Sequence, residues 1–238
     1  MGKIYLIRHG QASFLADDYD NLSDKGIIQS EALGGYFLRN EIHFDKIFIG
    51  KLRRHVQTFD AFSKAYHING PELPKPVYLK ELNEHQALEA FKLGYDDFIE
   101  QNEAAKRLYN EIQKDDNMMK KNYVHIFGMF FREYVSGKYP LKNHPVQSWS
   151  DFRGQTKKGI ADILKDTGDS ETVGIFTSGG TKSSIIGDSL GLRDEKITEL
   201  NMAIRNTSFS QLFYSKNKLN ILSINEISHL TKELITFV

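Results

Sequence analysis

The sequence predicts an α/β protein, a three-layer α/β/α sandwich with a mostly parallel central sheet and a helical insertion. Short apolar runs occur at 4–7, 45–50 and 172–177, and runs that lack polar alternation are typical of strands buried on both faces. Helical periodicity follows the first two runs, at 23–37 and 52–66. Because strands and helices alternate in this way, we expect crossover connections and a mainly parallel sheet.

The composition favours one large domain that carries an insertion. The chain has 238 residues, no cysteine, and 31 basic residues that balance 31 acidic ones. Without a global positive field, nucleic acid and anionic membranes are disfavoured as partners, and the lack of cysteine excludes disulfides and thiolate chemistry. The apolar run near the N-terminus is too short for a signal peptide, and no stretch has the length of a membrane span. We therefore expect a soluble, cytoplasmic protein.

The first predicted strand ends in Arg8, His9 and Gly10. The first helix is expected to begin at Ser23, whose hydroxyl can cap it. The second strand, at 45–50, closes on a glycine, and the helix that follows it is expected to end near an Asn-Gly-Pro sequence at 69–71.

The region from about 87 to 145 differs in texture from the rest of the chain. An extended piece at 74–79 precedes it, and the region itself is rich in Lys, Asp, Glu, Asn and aromatic residues at helical spacing. A helix predicted at 148–165 leads back to the sheet. We interpret the region as a helical insertion that forms a lid over the site.

The C-terminal part supplies the remaining predicted strands. The run at 172–177 ends in a glycine turn before another helix, which resembles the arrangement at the N-terminus. Two further strands are predicted at 207–214 and 219–225, joined as a hairpin by residues 215–218.

The residues that end the first strand point to phosphate chemistry. In open α/β sheets, ligands bind beyond the carboxyl ends of the strands. Arg8 offers a fixed positive charge with forked donors, His9 is a nitrogen base or nucleophile, and Gly10 allows the backbone to approach a ligand closely. The alternative is that Arg8 only caps the strand and His9 is an ordinary loop histidine.

Several motifs, in order along the chain, resemble those of the histidine phosphatase superfamily, which has the phosphoglycerate mutase-like fold. The resemblance spans most of the chain outside the insertion. It rests on the segments at 6–11, 22–26 with Gln29, 52–58, 82–84, 206–208 and 229–230.

The resemblance implies a role for each matching residue. His9 would be the nucleophile that forms a phosphohistidine, and Glu84 would be the acid and base. Arg8, Arg54 and Ser178 would bind the phosphoryl group. Two residues compete with these assignments: Glu81 is an alternative acid, although the motif favours Glu84, and Arg53 stands beside Arg54 but is expected to be a solvated helix residue.

Ser178 is the one clear departure from the pattern. The family places a second histidine here, before a glycine that this chain keeps as Gly179, and serine offers a hydroxyl donor but no positive charge. We therefore expect Ser178→His to raise turnover. His55 and His85 neighbour proposed site residues and could lean inward, but both are expected to face solvent.

Three polar or backbone groups are candidates for accessory contacts to the phosphate or its leaving group. They are Gln11, Ser13 and Gly179, and for Ser23 helix capping is an equally good explanation.

The resemblance implies a phosphomonoesterase that hydrolyses a small phosphorylated substrate through a phosphohistidine intermediate. No metal or other cofactor is expected, since the family needs none and the eight histidines show no paired ligand spacing. Two alternatives remain open: a phosphoglycerate mutase-type phosphotransferase, and a catalytically impaired protein that binds or senses a phosphate ester.

Overall fold

The computed structural model describes residues 1–12, 20–68, 70–141, 145–215 and 218–237. Ser13, Asn69 and the hairpin residues 216–217 lie outside the described residues. The chain divides into two compact units, one formed by Met1–Glu84 with Arg153–Val238 and the other by His85–Phe152.

The larger unit contains a six-stranded sheet, counted over the described residues, in the order β3-β2-β4-β1-β5-β6. The strands are β1 (Gly2–Arg8), β2 (Lys46–Gly50), β3 (Val77–Leu79), β4 (Thr172–Thr177), β5 (Phe209–Ser215) and β6 (Lys218–Glu226). Strands β1 to β4 run parallel, and β5 and β6 are antiparallel additions at one edge. The predicted α/β class with a mostly parallel central sheet is confirmed.

Eight α-helices lie within the described part of the chain. They are α1 (Asp24–Arg39), α2 (Arg53–His67), α3 (Ala87–Gln101), α4 (Glu103–Ile112), α5 (Met119–Val135), α6 (Trp149–Asp166), α7 (Gly179–Ser189) and α8 (Asp194–Ala203). The hydroxyl of Ser23 accepts a hydrogen bond from the Gly26 amide at 3.1 Å and so caps α1.

Side chains of β1 alternate between two apolar cores, one on each face of the sheet. Tyr5 and Ile7 enter an aromatic cluster with Phe37 of α1 and Phe62 of α2. Ile4 and Leu6 of the same strand enter an aliphatic cluster on the other face, which includes residues of α6, α7 and β4. Because both faces of the strand are buried, its sequence shows an unbroken apolar run.

The smaller unit is helical and has an aromatic interior. Phe91 and Phe98 of α3 are fully buried and pack against Phe130 of α5, with ring centroids 5.2 and 5.5 Å away. Asn102 caps α4 by accepting from two amides of its first turn.

Two elements differ from the expectations. Helix α8 was not predicted, since its short sequence shows only weak apolar periodicity. Gly179 and Gly180 were expected to form a turn but are the first residues of α7, where they allow close approach by other groups.

Candidate active site

The carboxyl ends of β1, β2 and β4 meet at one edge of the sheet. Arg8 pairs in register with Thr177, and Ile49 of β2 pairs with Phe176. The amide of His9 continues the ladder by donating to the Thr177 carbonyl at 2.8 Å. His9 therefore leaves β1 at the level where Ser178 leaves β4.

His9 is a buried imidazole that is held neutral. It is 4% exposed, and its Nδ1 lies 2.6 Å from the carbonyl oxygen of Gly10. Since a carbonyl only accepts, Nδ1 carries the hydrogen and Nε2 keeps its lone pair. Burial lowers the pKa of His9 well below its ordinary value, and the charges of Arg54 and Arg8 and the neighbouring His55 lower it further.

The turn after His9 is fixed by helix α2. The Gly10 amide donates to the hydroxyl of Thr58 at 3.0 Å, and that hydroxyl donates to the Arg54 carbonyl at 2.7 Å. A Cβ on Gly10 would lie 2.4 Å from the carbonyl oxygen of Gly26 in α1. Position 10 therefore has room only for glycine.

The two arginines approach His9 from different elements. Arg54, in the first turn of α2, is 6% exposed, and its Nη1 bonds Oδ1 of Asp20 at 2.7 Å. The other oxygen of Asp20 accepts from the Arg53 amide at 2.7 Å, and the Arg53 side chain is exposed, as expected. Arg8 donates through Nη1 to the carbonyl of Phe237 at 2.6 Å.

Glu84 lies at the N-terminus of α7. Its Oε2 accepts from the amide of Gly180 at 2.9 Å, and a Cβ on Gly180 would lie 2.1 Å from Oε1. The competing Glu81 is bonded instead to Lys158 at 3.0 Å. Although burial acts in the opposite direction, Lys158 holds the pKa of Glu81 below its usual value. The geometry therefore brings Glu84, and not Glu81, to the N-terminal end of α7.

Ser178 is the N-cap residue of α7, yet its hydroxyl does not cap the helix. Its Oγ lies 2.5 Å from Nε2 of His55, and both residues are fully buried. The expectation that His55 faces solvent is therefore wrong, because the imidazole turns inward from the first turn of α2 and packs with its centroid 5.7 Å from that of His9.

The expectation that His85 faces solvent is also wrong. His85 is 5% exposed, lies against the rings of Trp149 and Phe152, and bonds the Gln147 carbonyl at 3.0 Å through Nε2. All of these residues belong to the helical unit, so burial among aromatic rings accounts for its position. Burial lowers the pKa of His85 to about 4.

The accessory candidates have structural partners. The backbone amide of Gln11 donates to the side-chain oxygen of Gln29 at 2.8 Å, and the side-chain oxygen of Gln11 accepts from the Ser23 hydroxyl at 3.0 Å. A Cβ on Gly179 would lie 2.5 Å from Oδ1 of Asn201 and 3.4 Å from Nε of Arg8. Ser13 falls outside the described residues.

Sequence reasoning missed several residues that shape this site. Asp20 carries no distinctive signal, because its contacts with Arg53 and Arg54 are distant in sequence. Thr58 lies within the segment 52–58, but its contact with Gly10 was not foreseen. Lys182, one turn into α7, is fully buried and donates to the carbonyl and hydroxyl of Ser208, at 2.7 and 3.0 Å. Burial, with the charge of Arg8 beside it, lowers the pKa of Lys182 well below its ordinary value. A lysine within a helix sequence otherwise rich in small residues was the available signal.

Within the described ranges, no three His, Asp or Glu side chains lie close enough together to hold a metal ion. None of the helices in the same ranges has both the length and the hydropathy that a membrane span requires.

Comparisons with known proteins show the family and the fold of the chain. Residues 4–123 match the family model of the histidine phosphatase superfamily, branch 1. No curated protein sequence matches the chain.

Solved structures of similar fold extend over nearly the whole chain. A mutant phosphoserine phosphatase from Entamoeba histolytica, in complex with phosphoserine, matches with a TM-score of 0.63 at 16% identity, covering 97% of this chain and 100% of that one. The phosphoglycerate mutase of Bacillus anthracis matches with a TM-score of 0.60 at 19% identity, covering 96% and 94%. The mycobacterial glucosyl-3-phosphoglycerate phosphatase matches with a TM-score of 0.61 at 16% identity, covering 94% and 99%. At such identities the likeness is one of fold.

Proposed function

The chain belongs to the histidine phosphatase superfamily, branch 1, and on that premise we propose that it is a phosphomonoesterase acting on a small phosphorylated substrate through a phosphohistidine at His9. The observation that carries the proposal is a buried, neutral His9 whose Nδ1 is bonded to Gly10, with the arginines 8 and 54 close enough to lower its pKa. A neutral imidazole near two guanidinium groups suits attack on a phosphate dianion.

The first chemical step forms the phosphoenzyme. Arg8 and Arg54 bind and neutralise the phosphoryl oxygens, so that Nε2 of His9 can approach phosphorus in line with the leaving oxygen. The N–P bond forms as the P–O bond to the leaving group breaks, and protonated Glu84 gives its proton to that oxygen.

The second step returns the enzyme to its resting state. The Glu84 carboxylate takes a proton from water, whose oxygen attacks phosphorus as the N–P bond breaks, and inorganic phosphate leaves. The backbone amide of Gly180 supports the acid–base role of Glu84, because its hydrogen bond to Oε2 fixes the carboxyl group at the N-terminal end of α7.

Ser178 and Asp20 favour a second candidate, a protein that binds phosphate esters with little turnover. Ser178 provides no imidazole at the end of β4, and the carboxylate of Asp20 already engages Arg54. Loss of one preorganised donor costs about 3 to 4 kcal/mol, or roughly a hundred- to a thousandfold in rate. Since phosphate monoester hydrolysis can be accelerated by as much as ~10²¹, measurable turnover remains compatible with this loss, and we favour the enzyme.

The test is hydrolysis of 4-nitrophenyl phosphate by the parent, by His9→Ala, and by His67→Ala as a control at an exposed histidine of α2. We expect turnover in the parent and in His67→Ala, and none above background in His9→Ala. A parent that binds inorganic phosphate without turnover would support the binding protein instead, and full activity in His9→Ala would refute the proposed nucleophile.

A further inference from the structure

A hydrogen-bonded pair made by His55 and Ser178 lies beside His9. The Nε2 to Oγ distance is 2.5 Å, neither residue has exposed surface, and the ring of His55 lies beside that of His9. The pair joins the start of α2 to the start of α7, the two helices that also present Arg54 and the amide that holds Glu84.

The space for this imidazole is created by glycine at the end of β2. A Cβ on Gly50 would lie 2.1 Å from Nδ1 of His55 and 2.7 Å from Cε1. The ring therefore occupies a volume that any larger residue at position 50 would close. On the opposite side, the small side chain of Ser178 leaves room for the ring, since Nε2 already lies at hydrogen-bond distance from Oγ.

The direction of the bond follows from the other nitrogen. Among the described residues, Nδ1 of His55 has no well-aligned hydrogen-bond partner. Burial, together with the charge of Arg54, lowers the pKa of His55 well below its ordinary value, against a smaller opposing effect of the Gly50 carbonyl. Since the Gly50 carbonyl can only accept, it favours the neutral ring that carries its hydrogen on Nδ1, and Nε2 then accepts from the Ser178 hydroxyl.

We propose that His55 and Ser178 act as one positioning unit for His9, in which helix α2 supplies the imidazole that the family resemblance places at position 178. This inference rests on the proposed function and deepens its account of the same site. His55 packs against the nucleophile and excludes water from it, and Ser178 fixes the orientation of the His55 ring.

The unit explains why one substitution does not restore the family pattern. An imidazole built at position 178 would extend from Cβ into the volume that His55 fills, because the shorter serine hydroxyl is already 2.5 Å from that ring. Contrary to the expectation from sequence, Ser178→His alone is expected to lower turnover and stability. Together with His55→Ala, the same substitution is expected to be accommodated.

Kinetics of four variants test the unit. We expect His55→Ala to lower kcat about a hundredfold with little change in KM, as displacement of a reacting group by about 1 Å does. Ser178→Ala should cost a similar factor, and the double alanine variant should lose no more than the worse single variant, because both remove the same contact. Ser178→His with His55→Ala should restore kcat to within about tenfold of the parent.

Two controls separate positioning from general loss of packing. Phe59→Leu trims a buried ring of α2 that packs on Phe176 of β4, and Ser183→Ala removes a buried hydroxyl of α7 bonded to Gly180. Both should lower stability while kcat stays near that of the parent. His55→Gln, which can place an oxygen acceptor near the position of Nε2, should retain more activity than His55→Ala.

The pH profile provides a readout that a merely structural role would not move. Removing His55 hydrates the ring of His9 and so raises its pKa, and His9 must be neutral to attack. The acid limb of the pH profile of kcat/KM should therefore move to higher pH in His55→Ala. In the double variant Ser178→His with His55→Ala, it should return to its position in the parent. Three results would overturn the proposal. They are a loss of kcat in the double alanine variant equal to the product of the two single losses, an acid limb that does not move in His55→Ala, and increased turnover in Ser178→His alone.

Nuclear magnetic resonance distinguishes failure of the pair from failure of the proposed function. In ¹⁵N-labelled protein, two-bond correlations should show a neutral Nδ1–H ring for His55 between pH 5.5 and 8, with shifts that change in Ser178→Ala but not in Ser183→Ala. The ring signals of His9 should move in His55→Ala. A titrating or Nε2–H ring of His55 overturns the pair even if the enzyme is active. A parent without turnover overturns the phosphatase, while these spectra still test the pair.

Discussion

Gly180→Ala should reduce activity without reducing stability. The added Cβ would lie 2.1 Å from Oε1 of Glu84 and 3.0 Å from its Cδ, and the three nearest atoms all belong to that side chain. Ordinary van der Waals contact requires about 3.5 Å, so Oε1 must move by about 1.4 Å. The backbone of Gly180 is helical and accepts alanine, which favours a helix by up to about 1 kcal/mol.

The cost in rate follows from the displacement of the acid. A shift of about 1 Å in a catalytic group can cost about a hundredfold, and general acid catalysis contributes about 10² to 10⁴ in all. The loss should be greater for phenyl phosphate than for 4-nitrophenyl phosphate, because the poorer leaving group depends more on protonation. Gly154→Ala in α6 is the matched control, since nothing lies within 4 Å of its added Cβ.

Steady-state kinetics on both substrates and thermal unfolding of the three proteins provide the assay. We expect Gly180→Ala to lose activity at unchanged or higher melting temperature, and Gly154→Ala to keep full activity. Equal losses on the two phosphates, or unimpaired hydrolysis of phenyl phosphate, would refute the role of Glu84 as the acid.

Three further predictions concern binding and stability. Asp20→Asn keeps an oxygen for the Arg54 guanidinium but removes a negative charge, so inorganic phosphate should inhibit up to about fivefold more tightly; weaker inhibition would mean that the charge is needed to orient Arg54. Thr58→Val leaves the buried Gly10 amide without its acceptor and should lower the free energy of unfolding by about 1 to 3 kcal/mol in urea titrations; an unchanged midpoint would contradict this. Burial lowers the pKa of His85 to about 4 in the folded state, so its contribution to the free energy of unfolding is complete above pH 6.5 and declines by about 3 kcal/mol as the pH falls to 4. His85→Phe should flatten this part of the plot of stability against pH, and an unchanged slope would argue against the prediction.

The fold was predictable where burial is simple. Strand β1 is covered on both faces, so its run from Ile4 to Ile7 is apolar throughout, and the capped start of α1 carries its signal locally in Ser23. Helix α8 was not predictable in this way, because few of its residues are buried and its periodicity is faint.

The candidate site was predictable where chemistry and motif coincide, as for His9 and Glu84. His55 was not, because its burial depends on room left by Gly50 and Ser178, which lie far away in sequence. A histidine within a polar helix looks solvated until the register of β2 against β4 is known. The burial of Lys182 was not predictable for the same reason, since its partner Ser208 lies just before β5, far away in sequence.

Trapping the covalent intermediate tests the central claim most directly. The parent, mixed for milliseconds with ³²P-labelled 4-nitrophenyl phosphate, whose good leaving group needs little protonation, and quenched in alkali, should carry an acid-labile, alkali-stable label on the peptide that contains His9. Glu84→Gln, which slows hydrolysis of the intermediate, should carry more label, and His9→Ala none. Turnover without such a label, or a label on any other residue, would contradict the account.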